Sequence, residues 1–343
     1  MDVRSRISAR GKKVLGVGSA LTDILVRASD EELQTISHIK GGMTLVDSDF
    51  LDGCMKKIPQ AGETVPGGAA CNTIQGLARL GGEAVFMGKR GNDATGDAFE
   101  SFLKNSGVHP VLSVSRTPSG RVLSIITPDA QRSMFTFLGA SSELAPSDIV
   151  REHFETAAIV FMEGYLFFNP DLAFAVLEEA QSSGAVVAMD LASFTVVEAA
   201  SDLLHDAVPR FVDILIANED EAYAYTGYRD PLKALEYMAS EAGLAVLKMG
   251  KDGSLIRSGE TLWQIAACNG NSVKDTTGAG DLWAAGFLHG LVLDWPMENC
   301  GALASACGYE VCCVVGAQIP EAGWLRICSR FLLTGARVSP VGS

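Results

Sequence analysis

The chain has 343 residues, 48% of them hydrophobic and 20% charged, and its 41 acidic against 27 basic side chains leave a formal net charge of −14. That composition is ordinary for a folded globular protein, and a field of that sign repels phosphate backbones and anionic lipid, which argues against nucleic acid and membrane surfaces as partners. No apolar run approaches the roughly 18 residues that cross a bilayer, and an anionic nucleotide remains acceptable where backbone N–H groups, a cation or one Arg meet it.

Residues 1–13 carry Arg4, Arg6, Arg10, Lys12 and Lys13 with no apolar segment. They lack a secretory core and read as a flexible leader, so the chain is expected to be cytoplasmic. Val14–Val17 opens the sheet. Gly16-Val17-Gly18 begins like a dinucleotide fingerprint, but the third glycine is missing and Asp23–Val26 reads as strand, so NAD binding is rejected. Asp23–Arg27 and Met43–Val46 break the main rhythm. A helix then starts near Ala70 and stops at Leu80-Gly81-Gly82, ahead of a strand at Ala84–Met87. Val111–Arg116, Arg121–Thr127 and Ser133–Phe137 read as a meander, with turn chemistry at Thr117–Gly120 and Pro128–Gln131. Strands at Ala158–Met162, Ala185–Asp190, Ile214–Ala217 and Ala245–Lys248 alternate with helical segments such as Pro170–Ser182 and Asp230–Ala242. This is the signal for βαβ units and a parallel sheet covered on both faces. The expectation is one α/β domain over 14–335 with a tail at 336–343. A small antiparallel sheet is inserted at about 20–60 and 108–140 as a lid over a cleft.

Eight cysteines show no C-x-x-C pair and no metal-ligand spacing with the five histidines. They read as small buried hydrophobes in a reducing compartment, with the vicinal pair Cys312–Cys313 as a lesser redox candidate. The strongest local signal is Asp275-Thr276-Thr277-Gly278-Ala279-Gly280-Asp281, leading into the apolar helix Leu282–Leu291. A small-residue loop entering a helix aims unpaired N–H groups, at the positive end of the dipole, toward an anion. A carboxylate at such a place is either a helix cap or a general base poised where a phosphoryl group arrives. The heptapeptide alone leaves both open.

That loop resembles the C-terminal signature of the PfkB carbohydrate kinases, which include ribokinase, fructokinase and adenosine kinase. Gly67-Gly68-Ala69-Ala70-Cys71-Asn72-Thr73, running on to Gly81, resembles their N-terminal signature. Asn218-Glu219-Asp220-Glu221 resembles their N-x-x-E motif, and Lys248-Met249-Gly250-Lys251-Asp252-Gly253 their strand and glycine turn beside the nucleotide. Four motifs in register are far more specific than one. Gly250-Lys251 is no Walker loop, because Asp252 stands where Ser or Thr belongs.

The resemblance implies a ribokinase-like, doubly wound, mainly parallel sheet with helices on both faces and an inserted β-sheet lid. It implies an ATP-dependent phosphotransferase acting on a primary hydroxyl of a small ribose-containing substrate. Asp281 would be the base, and Gly278, Ala279 and Gly280 the anion hole. Asp23, Gly67, Gly68 and Asn72 would hold the sugar. Lys248, Gly250, Gly253 and Thr276 would face the nucleotide, and Asn218 and Glu221 would organise Mg²⁺ through water. Arg132 matches an Arg that adenosine-kinase-like members turn on phosphate, a solvated hairpin Arg being the alternative. Asp275 and Thr277 offer oxygens to K⁺.

Gly42–Asp47, Arg132–Met134 with Leu138–Ala140, and Glu163–Phe167 resemble the adenosine-kinase-like branch. Met43, Leu45, Phe135 and Phe137 on the lid suit a purine ring. A nucleoside, adenosine first, is therefore expected ahead of a free sugar such as ribose, fructose or 2-keto-3-deoxygluconate. A non-catalytic nucleotide or sugar sensor is the remote alternative. The chain is expected as a monomer, or as a homodimer paired through an exposed lid sheet.

Overall fold

The computed structural model describes residues 2–37, 40, 42–57, 63–129, 131–268, 270 and 273–331. Runs such as Ile159-Val160-Phe161-Met162 and Val186-Val187-Ala188-Met189 are apolar at every position and buried at every position, so they must lie between two layers. Their side chains alternate accordingly. Ile159 and Phe161 join one core cluster, while Val160 and Met162 join another on the opposite face.

The strands are β1 (Lys13–Val17), β2 (Leu21–Arg27), β3 (Gly42–Leu45), β4 (Glu63–Gly67), β5 (Glu83–Gly91), β6 (His109–Ser115) and β7 (Gly120–Ile126). They continue with β8 (Arg132–Phe137), β9 (Ile159–Glu163), β10 (Val186–Asp190), β11 (Ile214–Asn218), β12 (Leu244–Lys248), β13 (Ser254–Ser258) and β14 (Thr261–Ile265). Nine of them form one sheet in the order β14-β13-β12-β11-β10-β9-β1-β5-β6, parallel from β12 to β6 with an antiparallel β13–β14 edge. α1 (Ala69–Arg79), α2 (Ala279–Val292) and α3 (Met297–Cys312) cover one face. Helices Pro170–Ser183, Ser201–Phe211 and Pro231–Glu241 cover the other. The fold is ribokinase-like.

The smaller sheet has the order β3-β8-β7-β2-β4. It is mixed, not antiparallel as expected: β2 with β7 and β3 with β8 run parallel, while β2 with β4 and β7 with β8 run antiparallel. The stretch Val111–Arg116 also departs from expectation. Its residues up to Ser115 belong to β6, which pairs in parallel with β5 at the edge of the large sheet. A half-buried edge strand carries the same polar–apolar alternation as a lid strand, so pattern alone could not separate them. β4 had no strand signature because Pro66 and Gly67 interrupt it; an edge position tolerates that.

The lid's outer face is not bare. Ile24, Val26, Leu123, Ile125 and Phe135 pack under Leu33, Leu51 and Cys54 from helices Asp30–Gln34 and Ser48–Lys57. The expected leader is likewise structured. Val3–Ser8 is a helix capped by Asp2, with Val3 and Ile7 buried, and its arginines act as clamps. Arg4 pairs with Asp294, Arg6 with Asp213, and Arg10 donates to the Ala157 and Ser183 carbonyls. The expected tail at 336–343 lies outside the described residues. Among the described residues no helix is long and apolar enough to cross a membrane.

Candidate active site

The C-terminal ends of parallel strands and the start of α2 meet at one cleft, where open α/β sheets place ligands. Gly278 caps α2 with φ 72, and a Cβ there would lie 2.6 Å from Ala317 Cβ, so only glycine fits this turn. Asp275 staples the loop. Its Oδ1 accepts from Thr277 N (3.0 Å) and Oγ1 (2.8 Å), and its Oδ2 from Gly316 N (2.9 Å). Ala279 N–H closes the turn onto Thr276 O at 3.1 Å. Of the three N–H groups expected to face an anion, those of Gly278 and Gly280 are therefore left open among the described residues, and that of Ala279 is not.

Asp281 sits in the first turn of α2. Asn72 Nδ2 donates to its Oδ2 at 2.9 Å, and Thr73 Oγ1 donates to its carbonyl at 3.1 Å, so α1 holds it from behind. Burial pushes the Asp281 carboxyl up to about 7, with Asp190 and Glu163 adding to the rise and Asn72 and Lys248 opposing it. A carboxylate with that proton affinity and little compensation can accept a proton near neutral pH.

On one side of the loop lies a cavity of about 770 Å³, lined by Asp23, Gly68, Asn72, Arg132 and Asp281 among others. Asp23, at the middle of β2, packs against Gly67, where a Cβ would come within 2.7 Å of its Cγ. Arg132 is no solvated hairpin residue. It donates to Asp23 Oδ2 (3.1 Å), Ser124 Oγ (2.6 Å) and Thr277 Oγ1 (2.7 Å), joining the lid to the loop. Burial raises the Asp23 pKa, against the pull of Arg132. Met43 and Leu45 line the cavity as expected. Phe135 and Phe137 do not: alternation along β8 turns them into the lid's own core, and Met134 and Thr136 face the cleft instead. The aromatics present are Tyr165 and Phe168, on the opposite wall.

On the other side of the loop a cavity of about 780 Å³ is lined by Asn218, Lys248, Gly250, Gly253, Thr276, Ala279 and Gly280. Thr276 faces both cavities. Gly253 has φ 91 and no room for a Cβ, which would come within 2.0 Å of Ile265 O. Glu221 does not line the cavity. It is buried in a capping box, accepting from Asn218 N (2.8 Å) and Nδ2 (2.6 Å). Burial pushes its carboxyl up to about 7 against the pull of Lys248. Each of its oxygens thus already accepts one hydrogen bond from Asn218. Among the described residues no group of three or more His, Cys, Asp or Glu is placed to hold a metal ion. The expected K⁺ ligands are committed elsewhere, Asp275 to Gly316 and Thr277 and the Thr277 hydroxyl to Arg132, so the geometry does not support them in that role.

Two site residues escaped the sequence reading. Glu163 ends β9 almost fully buried, accepting from Ser19 N (3.0 Å) and Ala70 N (2.7 Å), so it ties the β1–β2 turn to the start of α1. Asp190 ends β10 beside it in register and takes Lys248 Nζ at 2.6 Å. A carboxylate closing an otherwise apolar strand was the available signal; that the two strands are neighbours was not. Burial works against the Lys248 charge, but Asp190 and Glu221 outweigh it and hold its pKa above the usual value.

Residues 41–322 match the family described as pfkB family carbohydrate kinase. A crystal structure of a probable sugar kinase from Rhizobium etli superposes with a TM-score of 0.88 at 30% identity, covering 94% of this chain and 99% of that one. Adenosine kinase from Sinorhizobium meliloti superposes with a TM-score of 0.86 at 32% identity, covering 93% and 99%. The 5-dehydro-2-deoxygluconokinase of Geobacillus kaustophilus is 28% identical over 251 residues, 68% of this chain and 74% of that protein.

Proposed function

The chain belongs to the pfkB family of carbohydrate kinases, and on that premise we propose that it moves the γ-phosphoryl of ATP to the primary hydroxyl of a ribose-containing substrate, a nucleoside such as adenosine first. One observation carries this reading: two cavities of similar size share the 276–281 loop as their common wall, with the Asp281 carboxyl on one side and Lys248 on the other. A phosphoryl donor and an acceptor seated in them meet at the start of α2, the anion-binding end of a helix.

In this reading Asp23 accepts sugar hydroxyl protons, and Gly68 lets the sugar approach the backbone. Asp281 takes the proton of the attacking hydroxyl as its oxygen bonds to phosphorus, while the bond to the β-phosphate oxygen breaks and its electron pair leaves with ADP. The Gly278 and Gly280 N–H groups meet the charge on the transferring group, and Arg132, already at Thr277, stands beside it. Asn218 and Glu221 would hold Mg²⁺ through waters, and its charge neutralises the phosphate oxygens.

The apolar surfaces of Met43, Leu45, Met134 and Leu138 opposite Tyr165 and Phe168 support a flat base in the acceptor cavity. The likeness to a sugar kinase and the turning of Phe135 and Phe137 away from the cleft favour a second reading, a free-sugar acceptor of the same reaction. An ATP-consumption assay with Mg²⁺ against adenosine, other nucleosides, ribose, fructose and 2-keto-3-deoxygluconate separates the two. Turnover with adenosine alone is expected; turnover with sugars alone moves the reading to a sugar kinase, and none with any acceptor removes both.

A further inference from the structure

Four carboxylates, Glu163, Asp190, Glu221 and Asp281, lie close enough to feel one another around the 276–281 loop, and one ammonium lies among them. Glu163 is satisfied by two backbone N–H groups, and Glu221 by both nitrogens of Asn218. Asp281 has one neutral donor, Asn72. Lys248 Nζ chooses Asp190, at 2.6 Å, although it also lies within 3.1 Å of where a Gly280 Cβ would be, one residue from Asp281. The side chains of Lys248 and Asp190 are 13% and 9% exposed, so water does little to screen this choice.

We infer that Asp190 is a positioning residue for phosphoryl transfer: by capturing Lys248 it keeps the ammonium beside Gly280 and away from the carboxylate of Asp281, which stays free to act as base. The inference rests on the reading of Asp281 as the base.

The geometry of Asp190 is built for this double duty. Its Oδ1 accepts from Ala192 N at 3.0 Å, and Ala192 lines the acceptor cavity with φ 65, a conformation non-glycine residues seldom adopt without support. Its Oδ2 faces Lys248, which lines the nucleotide cavity. One carboxylate thus fixes a wall of each cavity. If Asp190 loses its charge, the buried ammonium loses its hydrogen-bonded counter-ion and keeps only the more distant pull of Glu221 and Asp281, which is costly. Both Glu221 oxygens already accept from Asn218, whereas only Oδ2 of Asp281 accepts from a side chain among the described residues, so Asp281 is the poorly compensated carboxylate the ammonium is expected to turn to. Paired with Lys248, Asp281 loses proton affinity and reach.

Asp190→Asn is the discriminating change, because its Oδ1 still serves Ala192 while an NH₂ now faces Lys248. At saturating nucleotide and acceptor, D190N is expected to lower kcat about 10–100-fold with acceptor KM changed less than about threefold. In the Lys248→Met background D190N is expected to lower kcat less than about threefold relative to K248M alone, since no ammonium is left to misplace. A D190N change that costs as much in the K248M background as in wild type overturns the inference, because a purely structural Asp190 acts alike with or without the ammonium. The crystal structure of D190N gives a readout independent of turnover: Lys248 Nζ moved onto Asp281 supports the inference, and Lys248 left in place overturns it. A wild-type protein that phosphorylates none of the acceptors above sinks the functional reading instead, whatever that crystal structure shows.

Discussion

Asp281 owes its proposed chemistry to what surrounds it. Among the described residues its one side-chain hydrogen bond is to the neutral amide of Asn72, and burial lifts its pKa from the ordinary 3.8 to about 7. As a base it must be unprotonated, so kcat/KM is expected to fall about tenfold for each pH unit below about 7 and to level off above it. Asp281→Asn should lose on the order of 10²–10⁴ in kcat while acceptor and nucleotide still bind. The same raised pKa sets the sign of a stability effect. The protonated form is the one the fold accommodates, so Asp281 costs nothing below pH 3.8 and destabilises as pH rises through about 7. Asp281→Asn is therefore expected to melt higher than wild type at pH 8 and alike at pH 4, and scanning calorimetry at the two values checks it. A loss of kcat with no gain in melting temperature at pH 8 would mean that the carboxylate is compensated by a group other than Asn72.

The lid joins the large sheet through glycine contacts that admit no side chain. Gly68 has φ 99, and its Cβ would come within 2.4 Å of Ser19 O, while that of Gly139, φ 51, would come within 2.3 Å of Pro118 O. Both clashes are with backbone, which cannot swing away. Gly68→Ala is expected to destabilise by about 1–3 kcal/mol and to raise acceptor KM, because Gly68 also lines the acceptor cavity. Gly250→Ala, at φ 53 with open space around it, should cost only about 1 kcal/mol, and urea unfolding of the pair measures the difference. Helices and central strands were legible at this scale because each carried its own periodicity and stop signals, as at Leu80-Gly81-Gly82. Edge strands were not. β6 looks like a lid strand and β4 like a loop, since what makes either a strand is the neighbour it pairs with.

For the molecule as a whole, the covered outer face of the lid bears on assembly. Leu33, Leu51 and Cys54 cover the outer face of the lid sheet, so that face is not exposed as the expected homodimer pairing supposed. The protein is accordingly expected to sediment as a monomer at micromolar concentration; a dimer in analytical ultracentrifugation would point to pairing through the β3 or β4 edge. The sequence by itself determined the parallel α/β sheet, the Gly-rich loop and its carboxylate, and the family, because these depend on residues adjacent in the chain or on a strand's own apolar run. Tertiary structure alone decided which side chains share the cleft. Strand order sets Asp190 next to Glu163 and within reach of Lys248, 58 positions away. The pleat of β8 turns Phe135 outward and Arg132 inward, and packing spends the N-terminal arginines on the body of the protein. Pairing partners, burial and the field they create are properties of residues distant in sequence, and no local pattern encodes them.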